Sequence, residues 1–143
     1  MTTNAEIAKD AIENVCSGRE AERVAEVYHP EFHDHVNTFE FHGHDGARES
    51  VALYRRLFPD LRFIVDEQVS EGDRVATRWT LYGTNRGRTV KLTGNTISRF
   101  ENGLVVEDHG STDTVELLRQ LGLWRSLVML ATEWRFLMRF GRA

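Results

Sequence analysis

The chain has 143 residues, of which 41% are hydrophobic and 28% charged, a composition typical of one globular domain that excludes a disordered chain. Its single cysteine, Cys16, excludes an intrachain disulfide, and no apolar run reaches the roughly 18 residues that a membrane span needs. The formal net charge of −4 argues against nucleic-acid binding, and the polar N-terminus does not resemble a signal peptide, so we expect a cytoplasmic protein.

Three helices are predicted in the N-terminal part of the chain. Apolar residues recur at helical spacing after Asn4, and Gly18 ends this first helix. A second, short helix covers residues 21–28 and ends before Pro30, because a residue that precedes proline avoids the helical conformation. Residues 30–43 show no periodicity and are predicted to form an ordered loop, after which a third helix extends to Pro59.

From Leu61 onwards the apolar residues recur at every second position, which predicts strands. Four strands follow in an antiparallel meander with glycine-containing turns at Glu71-Gly72-Asp73, Gly83–Gly87 and Glu101-Asn102-Gly103. Asp113 then caps a short helix that Gly122 ends. Helices and strands that are segregated along the chain predict an α+β fold, with the helices packed on one face of a curved sheet.

Titratable residues interrupt the last predicted strand at Glu107-Asp108-His109. Alternation along a strand puts Glu107 and His109 on one face and Asp108 on the other. Asp108 has an even number, as do the apolar residues Leu104 and Val106 that are expected to point inward, and this shared parity predicts an inward Asp108. A carboxylate in an apolar pocket has a raised pKa and exchanges protons near neutral pH. Asp108 is therefore a candidate acid or base, unless it is an exposed edge carboxylate or one satisfied by a backbone donor.

Histidines in two nearby pairs raise the question of a metal site. His33 and His35, two residues apart on one segment, share a face, and His42 and His44 follow closely. Because no separate Cys or His cluster completes the set, we predict no metal site and expect His33, His42 and His44 to be partly exposed loop residues.

The remaining motifs point away from other kinds of chemistry. The sequence has no serine elbow, phosphate-binding loop or dinucleotide-binding fingerprint. Trp79 has the parity of Val75 and Leu81, which predicts a place in the core or in a pocket wall. Cys16 lies in the first predicted helix without an activating neighbour in the sequence, so we expect it to be a packing residue.

The order and spacing of several segments resemble the SnoaL-like polyketide cyclases over about residues 4–122. The segments that carry the resemblance are Phe58–Leu61, Glu71–Thr80, Gly83-Thr84, Ser98–Gly103, Glu107 and Asp113–Gly122. The resemblance implies the cone-shaped α+β fold of the nuclear transport factor 2-like superfamily, with the N-terminal helices on the concave face of the antiparallel sheet. It also implies chemistry without a cofactor and, as in many relatives, a homodimer.

The resemblance also implies a set of site residues. It places the catalytic aspartate of the cyclases at Gly110, so that this chain lacks it, and Asp108 is the candidate replacement. Asp34 and His35 complete the predicted catalytic group. The predicted substrate-binding residues are Phe32, Tyr54, Trp79, Thr96, His109 and Gly110.

Residues 123–143 extend the predicted cone domain, residues 1–122, as an additional basic amphipathic helix. Apolar residues recur there at a spacing of three or four, and the segment from residue 119 onwards holds five arginines against one glutamate. Three roles stay open for this helix. It packs on the sheet or on a dimer partner, it covers the pocket mouth or docks a carrier protein, or it lies on a membrane surface.

We therefore expect a cofactor-independent enzyme of natural-product (antibiotic) biosynthesis. A cyclase or isomerase reaction on a hydrophobic polyketide-like or polycyclic ketone would use Asp108 as general acid or base. Asp34 or His35 would orient Asp108 or stabilise the developing enolate. The alternatives are a ligand-binding or dimerisation module of the same fold without chemistry, and an epoxide hydrolase-like or hydroxylase-like relative.

Overall fold

Short and partly irregular helices form the N-terminal part of the protein in the computed structural model, which describes residues 1–140. They are α1 (Asn4–Asp10), a π-helical turn (Ala11–Cys16), a 3-10 turn (Ala21–Arg23), α2 (Val24–Val27) and α3 (Gly43–Leu57). Thr3, and not the predicted Asn4, caps α1, because its hydroxyl accepts from the backbone of Glu6 while the Glu6 carboxylate accepts from Thr3 in a capping box. Gly18 ends this segment with a φ of 79°, as predicted.

Six strands form one curved sheet that does not close into a barrel. They are β1 (Tyr28–Val36), β2 (Phe39–His42), β3 (Arg62–Glu71), β4 (Arg74–Asn85), β5 (Arg88–Glu101) and β6 (Leu104–Thr112). The spatial order is β2-β1-β6-β5-β4-β3, and every neighbouring pair is antiparallel except the parallel pair β1–β6. The predicted α+β fold and the β3–β6 meander are confirmed.

The prediction of an ordered loop over residues 30–43 is wrong. This segment belongs to β1 and β2, joined by a tight turn in which Asn37 has a φ of 52°. The second predicted helix is likewise too long, because Tyr28 already begins β1. The strand pattern is hidden in the sequence because β1 places polar residues on both faces, Asp34 inward and histidines outward.

The core lies between the inner face of the sheet and the N-terminal helices. One cluster joins α1 and α2 to the sheet through Ala8, Val15, Val24, Val75 and Val105, each at most 1% exposed. A second cluster, around Phe58, Leu81 and Leu92, packs β3, β4 and β5 against the first segment of the last helix through Leu117 and Leu121. Between these clusters the inner face carries the polar residues of the candidate site.

The last helix, α4 (Thr114–Phe140), consists of two segments separated at Gly122, whose φ of 77° and ψ of 167° are not helical. The predicted stop at Gly122 is therefore confirmed. The second segment, residues 123–140, is called the tail helix below. Arg142, one of the five predicted tail arginines, lies outside the described residues, as does the side chain of Phe140.

The tail helix folds back onto α3 and β2. Arg56 of α3 lies 3.2 Å from the Glu133 carboxylate and 4.8 Å above the ring of Phe136, which also approaches the ring of Phe41. An adjacent side of the helix exposes further apolar side chains, namely Leu123, Trp124, Leu127, Trp134 and Met138. The tail helix thus has two apolar sides, not the single one predicted, and no helix within residues 1–140 is long and apolar enough to cross a bilayer.

Candidate active site

An internal cavity of about 60 Å³ lies between the inner face of the sheet and the helices. Its walls are mostly apolar, and the polar side chains that line it include Asp34, Ser50, Tyr54, Thr96, Asp108 and Thr112. The parallel pairing of β1 with β6 places Asp34 directly beside Asp108. The structure thus brings together the two predicted carboxylates on neighbouring strands.

Asp34 and Asp108 are both buried, each with 9% of its surface exposed. Oδ1 of Asp108 has no hydrogen-bond partner among residues 1–140, although buried polar atoms are normally satisfied. Burial raises the pKa of Asp108 to about 7, against the opposing effect of a hydrogen bond from the Ser98 side chain. Burial and the neighbouring Asp108 charge raise the pKa of Asp34 well above its usual value, and a hydrogen bond with the Ser50 side chain only partly opposes this rise. Near neutral pH this pair offers both a carboxylate base and a carboxylic acid.

His35 and His109 do not reach the cavity, so their predicted place in the pocket is wrong. The two rings stack at 4.3 Å on the outer face of the sheet. His35 lies 3.2 Å from Glu40 through Nδ1 and 3.2 Å from Glu107 through Nε2. The reason is strand alternation, since an inward Asp34 forces the side chain of His35 outward.

The other predicted pocket residues line the cavity, and their role in substrate binding stays a prediction. These residues are Phe32, Tyr54, Trp79, Thr96 and Gly110. Trp79 Nε1 donates a 3.0 Å hydrogen bond to Thr96 Oγ1, and its ring meets that of Phe63 edge-on. This bond fixes the orientation of the indole ring in the cavity wall.

Sequence reasoning missed four polar residues at the site. Cys16 Sγ and Tyr28 Oη lie 3.2 Å apart at the cavity wall, and burial raises the pKa of Cys16 to about 12, which keeps the thiol neutral and unsuited to nucleophilic attack. Ser50 and Ser98 are the neighbours of the two carboxylates. Ser98 had a signal in the sequence, because it shares the inward parity of Phe100, and Ser50 lies one helical turn before Tyr54.

Two glycines on the inner face tolerate a side chain to very different degrees. A Cβ atom on Gly94 would lie 2.3 Å from the Trp79 ring and 2.6 Å from Ser111 O, whereas one on Gly110 would meet nothing closer than 3.7 Å. We predict that Gly94→Ala lowers the free energy of unfolding by about 3 kcal/mol, while Gly110→Ala changes it by less than about 1 kcal/mol. Urea unfolding of both variants measures the difference, and equal losses would contradict the geometry.

A second, apolar chamber of about 400 Å³ adjoins the cavity. Its walls come from α3, β2 and both segments of α4, with Leu53, Leu57, Phe58, Leu117, Met129 and Leu137 among them. Val36, Tyr54 and Thr112 line both spaces, and Tyr54 Oη lies 3.4 Å from Thr112 Oγ1 at the boundary. The tail helix therefore covers an apolar space next to the cavity that holds the carboxylates, and its role there stays a prediction.

The sequence from residue 6 to residue 121 matches the family of SnoaL-like polyketide cyclases. The match spans the helices, the complete sheet and the first segment of α4, and the chain therefore belongs to this family. The tail helix lies beyond the matched range. No curated protein has a significantly similar sequence.

Solved structures share the fold at low sequence identity. IdmH from Streptomyces antibioticus, a candidate polyketide cyclase, is 23% identical with a TM-score of 0.76 over 85% of this chain and 100% of that one. A loop-truncated IdmH variant is 25% identical, with a TM-score of 0.76 over 84% of this chain and all of its own. A Catenulispora acidiphila protein with a ketosteroid isomerase-like fold, in complex with trimethylamine, is 15% identical, with a TM-score of 0.76 over 87% of this chain and 98% of its own.

Proposed function

We propose that this protein is a cofactor-independent acid/base enzyme of the cyclase or isomerase type that acts on a hydrophobic carbonyl compound. The observation that carries the proposal is the pair Asp34 and Asp108, which reach one apolar cavity from adjacent strands. Membership of the SnoaL-like family supports a role of this type. Catalytic acids and bases need a pKa near the working pH, and burial of the pair supplies it.

The proposed reaction begins with removal of a proton from the carbon next to a carbonyl group. The unpartnered Oδ1 of Asp108 is the base, and protonated Asp34 donates a hydrogen bond to the carbonyl oxygen as negative charge develops there. The resulting enolate attacks a second carbonyl of the same molecule to close a ring, or takes the proton back at another carbon. In both cases Asp108 returns the proton it removed, so the enzyme is unchanged.

The dimensions of the two spaces support a substrate with a small reacting end and a larger apolar body. Typical ligand pockets measure about 300–1,000 Å³. The cavity of about 60 Å³ holds the reacting carbonyl group, and the chamber of about 400 Å³ holds the apolar body. Because Tyr54 and Thr112 lie between the two spaces, the Tyr54 ring has to rotate when such a substrate binds.

Exchange of α-hydrogens on a simple ketone tests this proposal. We predict that the protein catalyses exchange between 2-tetralone and D₂O, and that Asp108→Asn slows this exchange about 100-fold because the amide cannot accept the proton. Proton NMR follows the reaction. Asp45→Asn is the matched control, since the Asp45 side chain is 95% exposed and does not line the cavity.

A ligand-binding module without chemistry is the second candidate, favoured by the glycine at position 110, where the resemblance places the cyclase aspartate. Such a module would bind 2-tetralone, seen as a change in tryptophan fluorescence, without catalysing exchange. Binding without exchange in the wild-type protein would therefore replace the enzyme proposal with this one.

A further inference from the structure

Six side chains with metal-binding atoms lie together on the outer face of the sheet, where β1 is flanked by β2 and β6. This outer-face cluster consists of His33, His35, Glu40, His42, Glu107 and His109. Strand register arranges it in two rows. His33 lies between Glu107 and His42, and the row beside it has His35 between His109 and Glu40.

The distances within the outer-face cluster suit a metal ion. The ligand atoms of His33, His35 and Glu107 all lie within 4.8 Å of one another. Zinc bonds to nitrogen and oxygen of about 2.0–2.2 Å separate tetrahedral ligands by roughly 3.4 Å, so small side-chain rotations complete the geometry. The ring of His33 lies 3.9 Å from that of His35, which shows how closely the imidazoles already approach.

One nitrogen of the outer-face cluster has no hydrogen-bond partner. His33 Nε2 is buried from solvent and unpartnered among the described residues, with Glu40 Oε1 as an acidic neighbour at 3.7 Å. Buried ring nitrogens are normally satisfied, and a bound cation would satisfy this one. His33 is also the residue common to both three-residue groups whose ligand atoms converge, the other being His33, Glu40 and His42.

We propose that His33, His35 and Glu107 bind one Zn²⁺ ion on the outer face of the sheet. Two imidazoles and a carboxylate are ligands that zinc accepts, and a water molecule completes the tetrahedron. The ligands come from β1 and β6, so the ion would join the two strands of the only parallel pair in the described sheet. These strands also carry Asp34 and Asp108 on the opposite face, and the ion would hold their register without entering the cavity.

Calorimetric titration of the full, tag-free chain with ZnCl₂, after treatment with EDTA and its removal, tests the site. We expect one zinc ion per chain, and His33→Ala should weaken binding by more than the roughly 10- to 100-fold that loss of an outer-shell partner costs. His29→Gln is the matched control, because it removes an imidazole of the same strand that is not part of the outer-face cluster. Glu107→Gln is a second variant that keeps the side-chain shape and should also weaken binding.

A thermal melt and the cavity variant make the test decisive. Zinc should raise the Tm of the wild-type protein and of Asp108→Asn, but not that of His33→Ala, since a ligand stabilises only the state that binds it. Circular dichroism verifies that each variant is folded. Absence of zinc binding in the wild-type protein, or unchanged binding in His33→Ala and Glu107→Gln, would overturn the proposal. Because the carboxylate pair is not involved, failure here leaves the proposed enzyme activity intact.

Discussion

As the pH rises from 4 to 8, the unfolding free energy of Asp108→Asn should increase by about 4 kcal/mol relative to that of the wild-type protein. The pKa of Asp108 is raised from 3.8 to about 7 in the folded protein, and a difference of one pH unit corresponds to about 1.4 kcal/mol. Urea unfolding at a series of pH values measures the change. EDTA is included so that the outer-face cluster holds no metal.

The sign of this effect follows from the proton uptake of the two states. Below pH 3.8 Asp108 is protonated in both states and contributes nothing to the pH dependence. Between pH 3.8 and about 7 the unfolded chain loses this proton while the folded protein retains it, so the folded state is progressively disfavoured as the pH rises. Above about pH 7 the cost is constant, and the asparagine variant avoids it at every pH.

Two comparisons separate the buried carboxylate pair from the rest of the protein, since removal of the Asp108 charge also lowers the pKa of Asp34. Asp10 and Glu116, whose pKa values are lowered by arginine neighbours, stabilise the fold as the pH rises, but they do so equally in both proteins. The exposed control Asp45→Asn should follow the wild-type curve. If Asp108→Asn and the wild-type protein gave parallel curves, the buried carboxylate would not have the raised pKa on which the proposed base depends.

The inward direction of Asp108 could be predicted because β6 is one of the strands whose apolar residues alternate. Val106 and Asp108 share a parity, and both are buried. The partner carboxylate, Asp34, is predicted only from the family resemblance and not from the alternation pattern. Its strand has no continuous apolar side, since the inner face of β1 is Phe32, Asp34 and Val36 at the cavity. When a site places polar residues on the inner face of a strand, the alternation of apolar and polar residues that predicts the strand is lost.

The pairing of strands that are distant in the sequence could not be predicted from the residue pattern of each strand alone. The parallel contact of β1 with β6 joins residues that are more than seventy positions apart, and it creates both the Asp34–Asp108 pair and the outer-face cluster. The prediction of no metal site considered the histidines of residues 30–43 as loop residues, without Glu107 beside them. The tail helix posed a similar problem, because apolar residues occur on both of its sides and the sequence does not show which side is covered.

The stability of the protein should depend on the side of the tail helix that lines the apolar chamber, and much less on the adjacent exposed side. We predict that Leu137→Asp lowers the free energy of unfolding by about 2–4 kcal/mol, because it places a second carboxylate, beside that of Glu133, among the apolar side chains of the chamber. Met138→Asp, one residue further, changes a side chain that is 66% exposed and should cost less than about 0.5 kcal/mol. Urea unfolding of the two variants compares them directly.

Exchange kinetics on 2-tetralone then show whether the chamber binds substrate as proposed. A chamber that holds only the apolar body of the ligand contributes equally to the bound ground state and to the transition state, so Leu137→Ala should raise KM several-fold and leave kcat nearly unchanged. Met138→Ala is the matched control and should leave both constants at the wild-type values. A fall in kcat without a change in KM would show that the tail helix acts on the carboxylates themselves. If neither constant changed in Leu137→Ala, the chamber would be a packing defect beneath the tail helix and the substrate would enter the cone by another route.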